Sequence, residues 1–181
     1  SALVMGYDTR SPSAIAEIRN KIGFVPDNFS FSGDVTVSEY LSFFGAAYSI
    51  PEIPRIRLVD DILGFLNLGD KKDVPAATLS RGMQQKLSLG RALIHSPELL
   101  LLDEPASGLD PRARIELMEA LRELRIMGTT IFIASHILSE LESLCDIVVI
   151  LEKGRTVYAG SLQEASTTIL KSRLFFEITV A

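Results

Sequence analysis

The chain alternates short, continuous apolar runs with longer segments in which apolar residues recur every three or four positions. The runs at residues 98–102 and 129–134 are typical of strands buried on both faces of a sheet. Residues 21–25 indicate a further strand, and helical spacing predicts helices over residues 81–94 and 111–124. The inner face of the second helix is expected to consist of Ile115, Met118, Leu121 and Leu124. This alternation of strands and helices predicts an α/β fold with a mostly parallel sheet.

Residues 35–78 carry a different pattern, which predicts a small α-helical subdomain. Bulky residues, among them Tyr40 and Tyr48, recur at helical spacing, and the pattern resumes after a turn marked by Pro51 and Pro54. Helical spacing favours a stripe that faces the core. The alternative is a docking surface for a partner.

The last part of the chain predicts two further β elements. Apolar runs at residues 146–151 and 156–159 flank a Lys153-Gly154 turn and predict a C-terminal β-hairpin. Residues 174–180 predict one more strand, and we expect the partner of that strand to lie outside the chain. We interpret residues 161–181 as the start of a C-terminal extension.

Composition limits the class of protein. The 181 residues correspond to one domain, at about 150 residues per domain. The formal net charge of −5 gives no overall positive field, so nucleic acid is not expected as a partner. The single cysteine, Cys145, excludes an internal disulfide and is expected to be a small buried hydrophobic residue. No stretch reaches the roughly 18 apolar residues that cross a bilayer.

Two adjacent acids, Asp103 and Glu104, directly follow the strand of residues 98–102. Parallel sheets bind their ligands beyond the carboxyl ends of the strands. One carboxylate there can hold Mg²⁺ against the phosphates of a nucleotide, and its neighbour can polarise a water for in-line attack on the γ-phosphorus. Two acids are also common at a solvated strand end, so the surrounding residues decide between these interpretations.

Residues on both sides of the acids favour the nucleotide site. Ser80 and Gly82 begin a helix, where free N–H groups and the positive end of the helix dipole favour an anion. Residues 107–110 follow the acids at once, and His136 ends the next strand. A lone histidine after a strand is more often an ordinary surface residue, but beside the acid-bearing strand it can hydrogen-bond a γ-phosphate or orient the water.

Together these segments resemble the ATP-binding-cassette (ABC) ATPases, the nucleotide-binding subunits of ABC transporters. The resemblance runs from about residue 6 to residue 160, and residues 103–112 are particularly similar to bacterial exporters of the ABC-2 type. The matching segments are the signature-like residues 79–86, the Walker B-like residues 99–105, the D-loop-like residues 107–110, and His136, which is similar to the switch histidine.

The resemblance implies a sheet of the P-loop NTPase type and a role for each matching residue. Asp103 would serve Mg²⁺, Glu104 would be the catalytic base and His136 would contact the γ-phosphate. The nucleotide-binding residues would be Ser80, Arg81, Gly82, Asp27, Ser107 and Asp110. Ser80 and Gly82 would bind ATP held by a second nucleotide-binding domain, in a head-to-tail pair.

The resemblance also implies a membrane partner and a location. The helices of residues 40–66 and the loop of residues 27–31 would dock the membrane permease subunits. The protein would then be cytoplasmic, peripheral at the inner face of the cell membrane.

Two motifs depart from the family's pattern. Arg81 replaces the usual glycine of the signature, where it adds a charge-assisted phosphate contact or lies in solvent, and Met83 replaces the usual glutamine. Asp27 stands where the family's Q-loop glutamine reaches the Mg²⁺. A carboxylate there can still ligate the ion, although it reaches less far.

The phosphate-cradling Walker A loop is the largest departure. It requires Gly-x-x-x-x-Gly-Lys-Ser/Thr, and none of the 12 glycines is followed by lysine. The sheet is therefore expected to be incomplete, without the Walker A strand and helix. Because the chain starts at Ser1 rather than Met, we expect a truncated protein that binds ATP poorly, and natural loss of the loop is the alternative.

These interpretations predict four segments along the chain. They are a partial catalytic core with the Q-loop-like segment at residues 1–34, the helical subdomain at 35–78, the core with the signature, Walker B, D-loop and switch histidine at 79–160, and the start of a C-terminal extension at 161–181.

The predicted function is that of an ATP-binding and ATP-hydrolysing subunit of an ABC transporter that powers a membrane permease. One alternative is a non-catalytic regulatory or partner-binding module that naturally lacks a P-loop. An ABC ATPase of DNA repair or translation ranks last. Because a missing central strand exposes sheet edges, we also expect the isolated chain to self-associate, by strand exchange.

Overall fold

The computed structural model describes residues 2–27, 31, 33–137, 141, 144–161 and 177–180, the last of these as backbone. A short hairpin of β1 (Leu3–Val4) and β2 (Tyr7–Asp8) opens the chain. The other described strands are β3 (Ile22–Val25), β4 (Leu99–Asp103), β5 (Thr130–Ser135), β6 (Val148–Glu152), β7 (Arg155–Gly160) and β8 (Glu177–Val180). These six form one sheet in the order β3-β4-β5-β8-β6-β7.

Three neighbouring strands, β3, β4 and β5, run parallel and place the acidic pair. Leu100 and Leu102 of β4 are buried, and so is Ile133 of β5. Such burial within a parallel sheet requires helices as cover, which explains the nearly continuous apolar runs in the sequence. The sheet confirms the predicted α/β class, and the β6–β7 pair confirms the predicted C-terminal hairpin.

The C-terminal strand differs from the expectation. We expected its partner to lie outside the chain, but β8 pairs antiparallel with both β5 and β6. The reason is the sheet order: β5 and β6 run in the same direction and leave a gap one strand wide between them. A strand in this gap satisfies the backbone groups of both edges.

Several helices begin at residues that are typical of helix N-termini. They are α1 (Pro12–Lys21), α2 (Val37–Ala47), α3 (Glu52–Phe65), α4 (Arg81–Leu93) and α5 (Pro111–Ile126), with short 3-10 helices at Gly69–Lys71 and Ala76–Thr78. Thr36 and Glu39 form a complete capping box at the start of α2, and Asp110 caps α5. Gly23 lets α4 approach β3, since a Cβ there would lie 2.6 Å from the carbonyl oxygen of Ala92.

The subdomain helices α2 and α3 pack on α4. Leu41, Leu63 and Leu66 are fully buried, and a Cβ on Gly90 of α4 would lie 3.0 Å from Leu66. The aromatic stripe of α2 divides: Tyr40 packs against the core, while Phe43 is 68% exposed. The stripe therefore serves both the core and the surface.

One predicted core position of α5 was wrong. We expected Ile115, Met118, Leu121 and Leu124 on its inner face, but Ile115 is 57% exposed and Leu117 is buried in its place. Leu117 shares one helix face with Leu121 and Leu124, at spacings of four and seven residues, and Ile115 lies outside that face. Among the helices of the described residues, none combines the length and apolarity needed to span a membrane.

Candidate functional site

Glu104 sits in a sharp turn at the end of β4. Its backbone N–H donates to the carbonyl of Ala134 at 2.9 Å and so extends the β4–β5 ladder by one residue. Its φ is +45°, in the left-handed region that residues other than glycine seldom adopt. The carbonyl of Glu104 then accepts from the N–H of Ser107 at 3.0 Å, which closes the turn. Backbone strain of this kind is found at functional sites.

The turn brings Glu104 against His136, which follows β5. Both carboxylate oxygens of Glu104 lie 2.8 Å from Nδ1 of His136. Because a carboxylate only accepts, Nδ1 carries the proton. The side chain of Glu104 is 26% exposed and that of His136 is 61% exposed. A carboxylate oriented by a histidine at the open edge of a sheet can accept a proton from a water molecule.

Asp27 and Asp103 leave the sheet at this same edge. Val25 of β3 is in register with Leu102 of β4, so the residues that follow the two strands emerge side by side. Asp103 is exposed and Asp27 is half-buried. Among the described residues, no three His, Cys, Asp or Glu side chains cluster as a metal site. Two carboxylates fit Mg²⁺ as it is usually held, by one or two protein carboxylates together with phosphate oxygens.

The start of α4 places Ser80 and Gly82 differently. Ser80 is exposed, and its Oγ accepts from the N–H of Met83 at 3.4 Å as the N-cap. Gly82 is buried, and a Cβ there would lie 2.5 Å from the Cβ of Ala113 in α5. The glycine therefore allows the two helices to touch, whatever it does toward a ligand.

The loop of residues 107–110 joins the turn at Glu104 to α5. Asp110 caps this helix, and its Oδ1 accepts from the N–H groups of Arg112 and Ala113, both at 3.0 Å. Gly108 has a φ of +64°. The guanidinium of Arg81 lies against Gly108, so the structure places this side chain beside the loop, where Arg81 remains exposed to solvent.

Sequence reasoning missed an ion-pair network between α4 and α5. Nζ of the buried Lys86 lies 2.9 Å from Glu116, which also bonds Nε of Arg112 at 3.0 Å. The hydrogen bond from Lys86, followed by that from Arg112, holds the pKa of Glu116 below its usual value. Lys86 and Glu116 are 30 residues apart in the chain, and no local sequence pattern links these two residues.

The fold is that of an α/β domain of the nucleoside-triphosphatase type, with acidic and histidine side chains at one sheet edge. A family model described as "AAA domain, putative AbiEii toxin, Type IV TA system" matches residues 8–142. A solved structure titled as cbiO1 from Clostridium perfringens, part of the ABC transporter complex cbiONQ, matches with a TM-score of 0.79 and 32% identity, over 93% of this chain and 70% of that one. A second, an ATP binding subunit of an ABC transporter, gives a TM-score of 0.77 at 29% identity, over 92% and 69% of the two chains.

Similar sequences carry the same type of description. A Nod factor export ATP-binding protein I from Burkholderia lata is 39% identical over 83% of this chain and 49% of its own length. One from Rhizobium meliloti is 40% identical over 87% of this chain and 46% of its own length. The chain therefore belongs to the family of ABC transporter ATP-binding subunits. It spans about half the length of the curated relatives that it matches.

Proposed function

We propose that this chain is part of an ATP-hydrolysing subunit that powers the permease of an ABC transporter. The observation that carries the proposal is the contact between Glu104 and His136 at the carboxyl edge of the parallel strands, at 2.8 Å. A domain that only docks a partner has no chemical need for a strained turn that presents a carboxylate to a histidine.

In this proposal Glu104 accepts the proton of the attacking water. His136 holds the carboxylate through Nδ1 and would contact a γ-phosphate oxygen. Asp103, with Asp27, would hold Mg²⁺ together with the phosphates. The ion would supply neutralisation of the charge that develops on the phosphoryl oxygens.

The start of α4 and the loop after Glu104 would face a second nucleotide-binding domain in a head-to-tail pair. The residues on this face are Ser80, Arg81, Gly82, Ser107 and Asp110. Ser80 is exposed there and lies at a helix N-terminus, which favours a phosphate of ATP held by the opposing domain.

The subdomain would dock the cytoplasmic helices of the permease, which places the protein at the inner face of the membrane. Exposed aromatic side chains on β3 and α2 support this surface, since Phe24 is 50% and Phe43 is 68% exposed. We propose export as the direction of transport, because the similar proteins are described as export subunits.

This chain alone should bind ATP poorly, because its sequence contains no Gly-Lys pair for a phosphate-cradling loop. Without the lysine and the backbone N–H groups of that loop, the β- and γ-phosphates are not positioned, and positioning supplies most of phosphoryl-transfer catalysis. The non-catalytic partner-binding module is the second candidate, and the same absence favours it.

The proposal is tested with this chain, with a longer protein that adds the gene's upstream codons, and with Glu104→Gln and Glu119→Gln in the longer protein. Binding of a fluorescent ATP analogue with Mg²⁺ and phosphate release are measured. Glu119 is exposed on α5 and controls for loss of a charge.

We expect the longer protein to bind and hydrolyse ATP. Glu104→Gln should lower turnover by about 10²- to 10⁴-fold with binding retained, and Glu119→Gln should change neither. If Glu104→Gln kept the turnover of the wild type, Glu104 would not be the catalytic base. If the upstream codons encode no phosphate-cradling loop and neither form binds, the partner-binding module is the better function.

A further inference from the structure

Arg81 points across to the loop that follows Glu104. A Cβ built on Gly108 would lie 2.7 Å from both Cζ and Nη1 of Arg81 and 3.0 Å from Nη2. Three guanidinium atoms at nearly equal distances mean that the flat face of the guanidinium lies against Gly108, while both residues remain exposed to solvent.

Gly108 fits this contact in two ways. Its φ of +64° is favourable for glycine, and the space that a side chain would need is taken by Arg81. The backbone conformation favours glycine by itself, whereas a side chain at position 108 would have to displace the end of the Arg81 side chain. The second condition links position 108 to position 81, which lies on another element.

The loop is held at both ends by other bonds. At one end Glu104 extends the β4–β5 ladder through Ala134, and at the other Asp110 caps α5. The apex at Gly108 lies between these anchors, and Arg81 is the side chain that lies against it.

Arg81 begins a helix that is packed on α5. The start of α4 contacts α5 through Gly82 and Ala113, and the buried Lys86 bonds Glu116. A side chain at the start of α4 can restrict the loop, because these contacts hold α4 and α5 together.

We propose that Arg81 is a positioning residue that holds the apex of the loop of residues 105–109 against the start of α4, and so fixes the turn that carries Glu104. Its importance for hydrolysis rests on the proposed function. The contact itself does not, and it can be tested on this chain without nucleotide.

The first test is amide hydrogen exchange of residues 106–109 in Arg81→Ala, since Pro105 has no backbone N–H. Arg57→Ala is the matched control, since Arg57 is exposed on α3, far from the loop in sequence. We expect about tenfold faster exchange of the loop in Arg81→Ala, with the strands β4 and β5 unchanged, and no change in Arg57→Ala. Unchanged exchange in Arg81→Ala would overturn the proposal.

The second test is a double-mutant cycle between positions 81 and 108, measured by urea unfolding. Gly108→Ala should lower the unfolding midpoint in the wild type and lower it less in the Arg81→Ala background, where only the backbone strain remains. Additive effects would show that Arg81 does not restrict position 108. If Gly108→Ala fails to fold in the wild type, recovery of a folded protein in the Arg81→Ala background would support the contact.

A third measurement separates positioning from a phosphate contact. In the longer protein, Arg81→Ala should lower kcat and leave the KM for ATP unchanged, because the loop and not the nucleotide loses its support. A raised KM with kcat unchanged would mean that Arg81 binds phosphate. If the longer protein has no turnover at all, the proposed function fails while the exchange and cycle results still decide the role of Arg81.

Discussion

Gly82 was expected to contact a ligand, and in the structure it also has a role in helix packing. The sequence indicated that a glycine at the start of α4 lets a phosphate approach the backbone. In the structure Gly82 is buried against Ala113, and an added Cβ would lie 2.5 Å from the Cβ of that alanine. Gly82 and Ala113 both lie on helices. Because alanine has no rotatable side chain, a change of rotamer cannot relieve the crowding.

Gly82→Ala should therefore lower the free energy of unfolding by about 1–3 kcal/mol, as overpacking does. Adding Ala113→Gly removes the colliding methyl group and should recover most of this loss, apart from the lower helix propensity of glycine. Urea denaturation of the single and double variants measures both effects. A double variant no more stable than Gly82→Ala would mean that the two helices do not meet at these residues.

At the residue scale, the sequence predicted that Asp103, Glu104 and His136 lie at the ends of neighbouring strands, because these strands are easy to identify. It did not predict the contact of Arg81 with Gly108 or the buried pair of Lys86 and Glu116. These contacts join elements through the packing angle of α4 on α5, and no spacing along the chain encodes that angle.

His95, two residues after the end of α4, connects three elements. Its ring stacks on Tyr48, at the end of α2, with 4.1 Å between ring centroids and 8° between planes. Its Nε2 lies 3.0 Å from the carbonyl oxygen of Ile22 in β3, so Nε2 donates this bond. The other ring nitrogen, Nδ1, is buried. The histidine thus joins the helical subdomain to the strand that leads to Asp27.

This environment makes stability depend on pH. Burial lowers the pKa of His95 below 6.5, and the hydrogen bond to Ile22 offsets this only in part. A histidine with a lowered pKa binds fewer protons in the folded state than in the unfolded state. The contribution of His95 to the free energy of unfolding is therefore fully present above pH 6.5 and is lost as the pH falls below this value.

We expect the free energy of unfolding of the wild type to decrease between about pH 7 and pH 5, and His95→Phe to reduce this slope. Phenylalanine keeps the ring on Tyr48 but cannot titrate. The absolute stability of the variant is expected to be lower, since the bond to Ile22 is lost, so the comparison concerns the slope alone. Equal slopes in the two proteins would show that His95 carries none of the pH dependence.

At the element scale, the sequence predicted β3 to β8, including the C-terminal hairpin, and the helices α2 to α5, because each has a clear period or turn signals. It did not predict the hairpin of β1 and β2 or the helix α1. It misplaced Ile115, since an exposed isoleucine on a helix looks the same in sequence as a buried one. The partners of β8 could not be predicted, because they depend on which strands are neighbours in the sheet.

At the scale of the whole molecule, β8 occupies the gap between β5 and β6. It is four residues long and pairs with Ile133–Ser135 of β5, so the first half of β5, residues 130–132, extends past it. Fifteen residues separate Ser161 from Glu177. A fully extended chain of this length spans at most about 50 Å, at about 3.3 Å per residue. A short strand on a long connection can enter the gap of a neighbouring copy as easily as its own.

We therefore expect self-association by exchange of β8. Light scattering coupled to size exclusion should show a dimer whose fraction rises with protein concentration, and Ile178→Pro should abolish the dimer. Proline at this position removes a backbone donor from the strand between β5 and β6. If the wild type is a clean monomer at every concentration, β8 stays in its own sheet. If Ile178→Pro increases association, the open edges of β5 and β6 themselves attract a second copy, and β8 protects them.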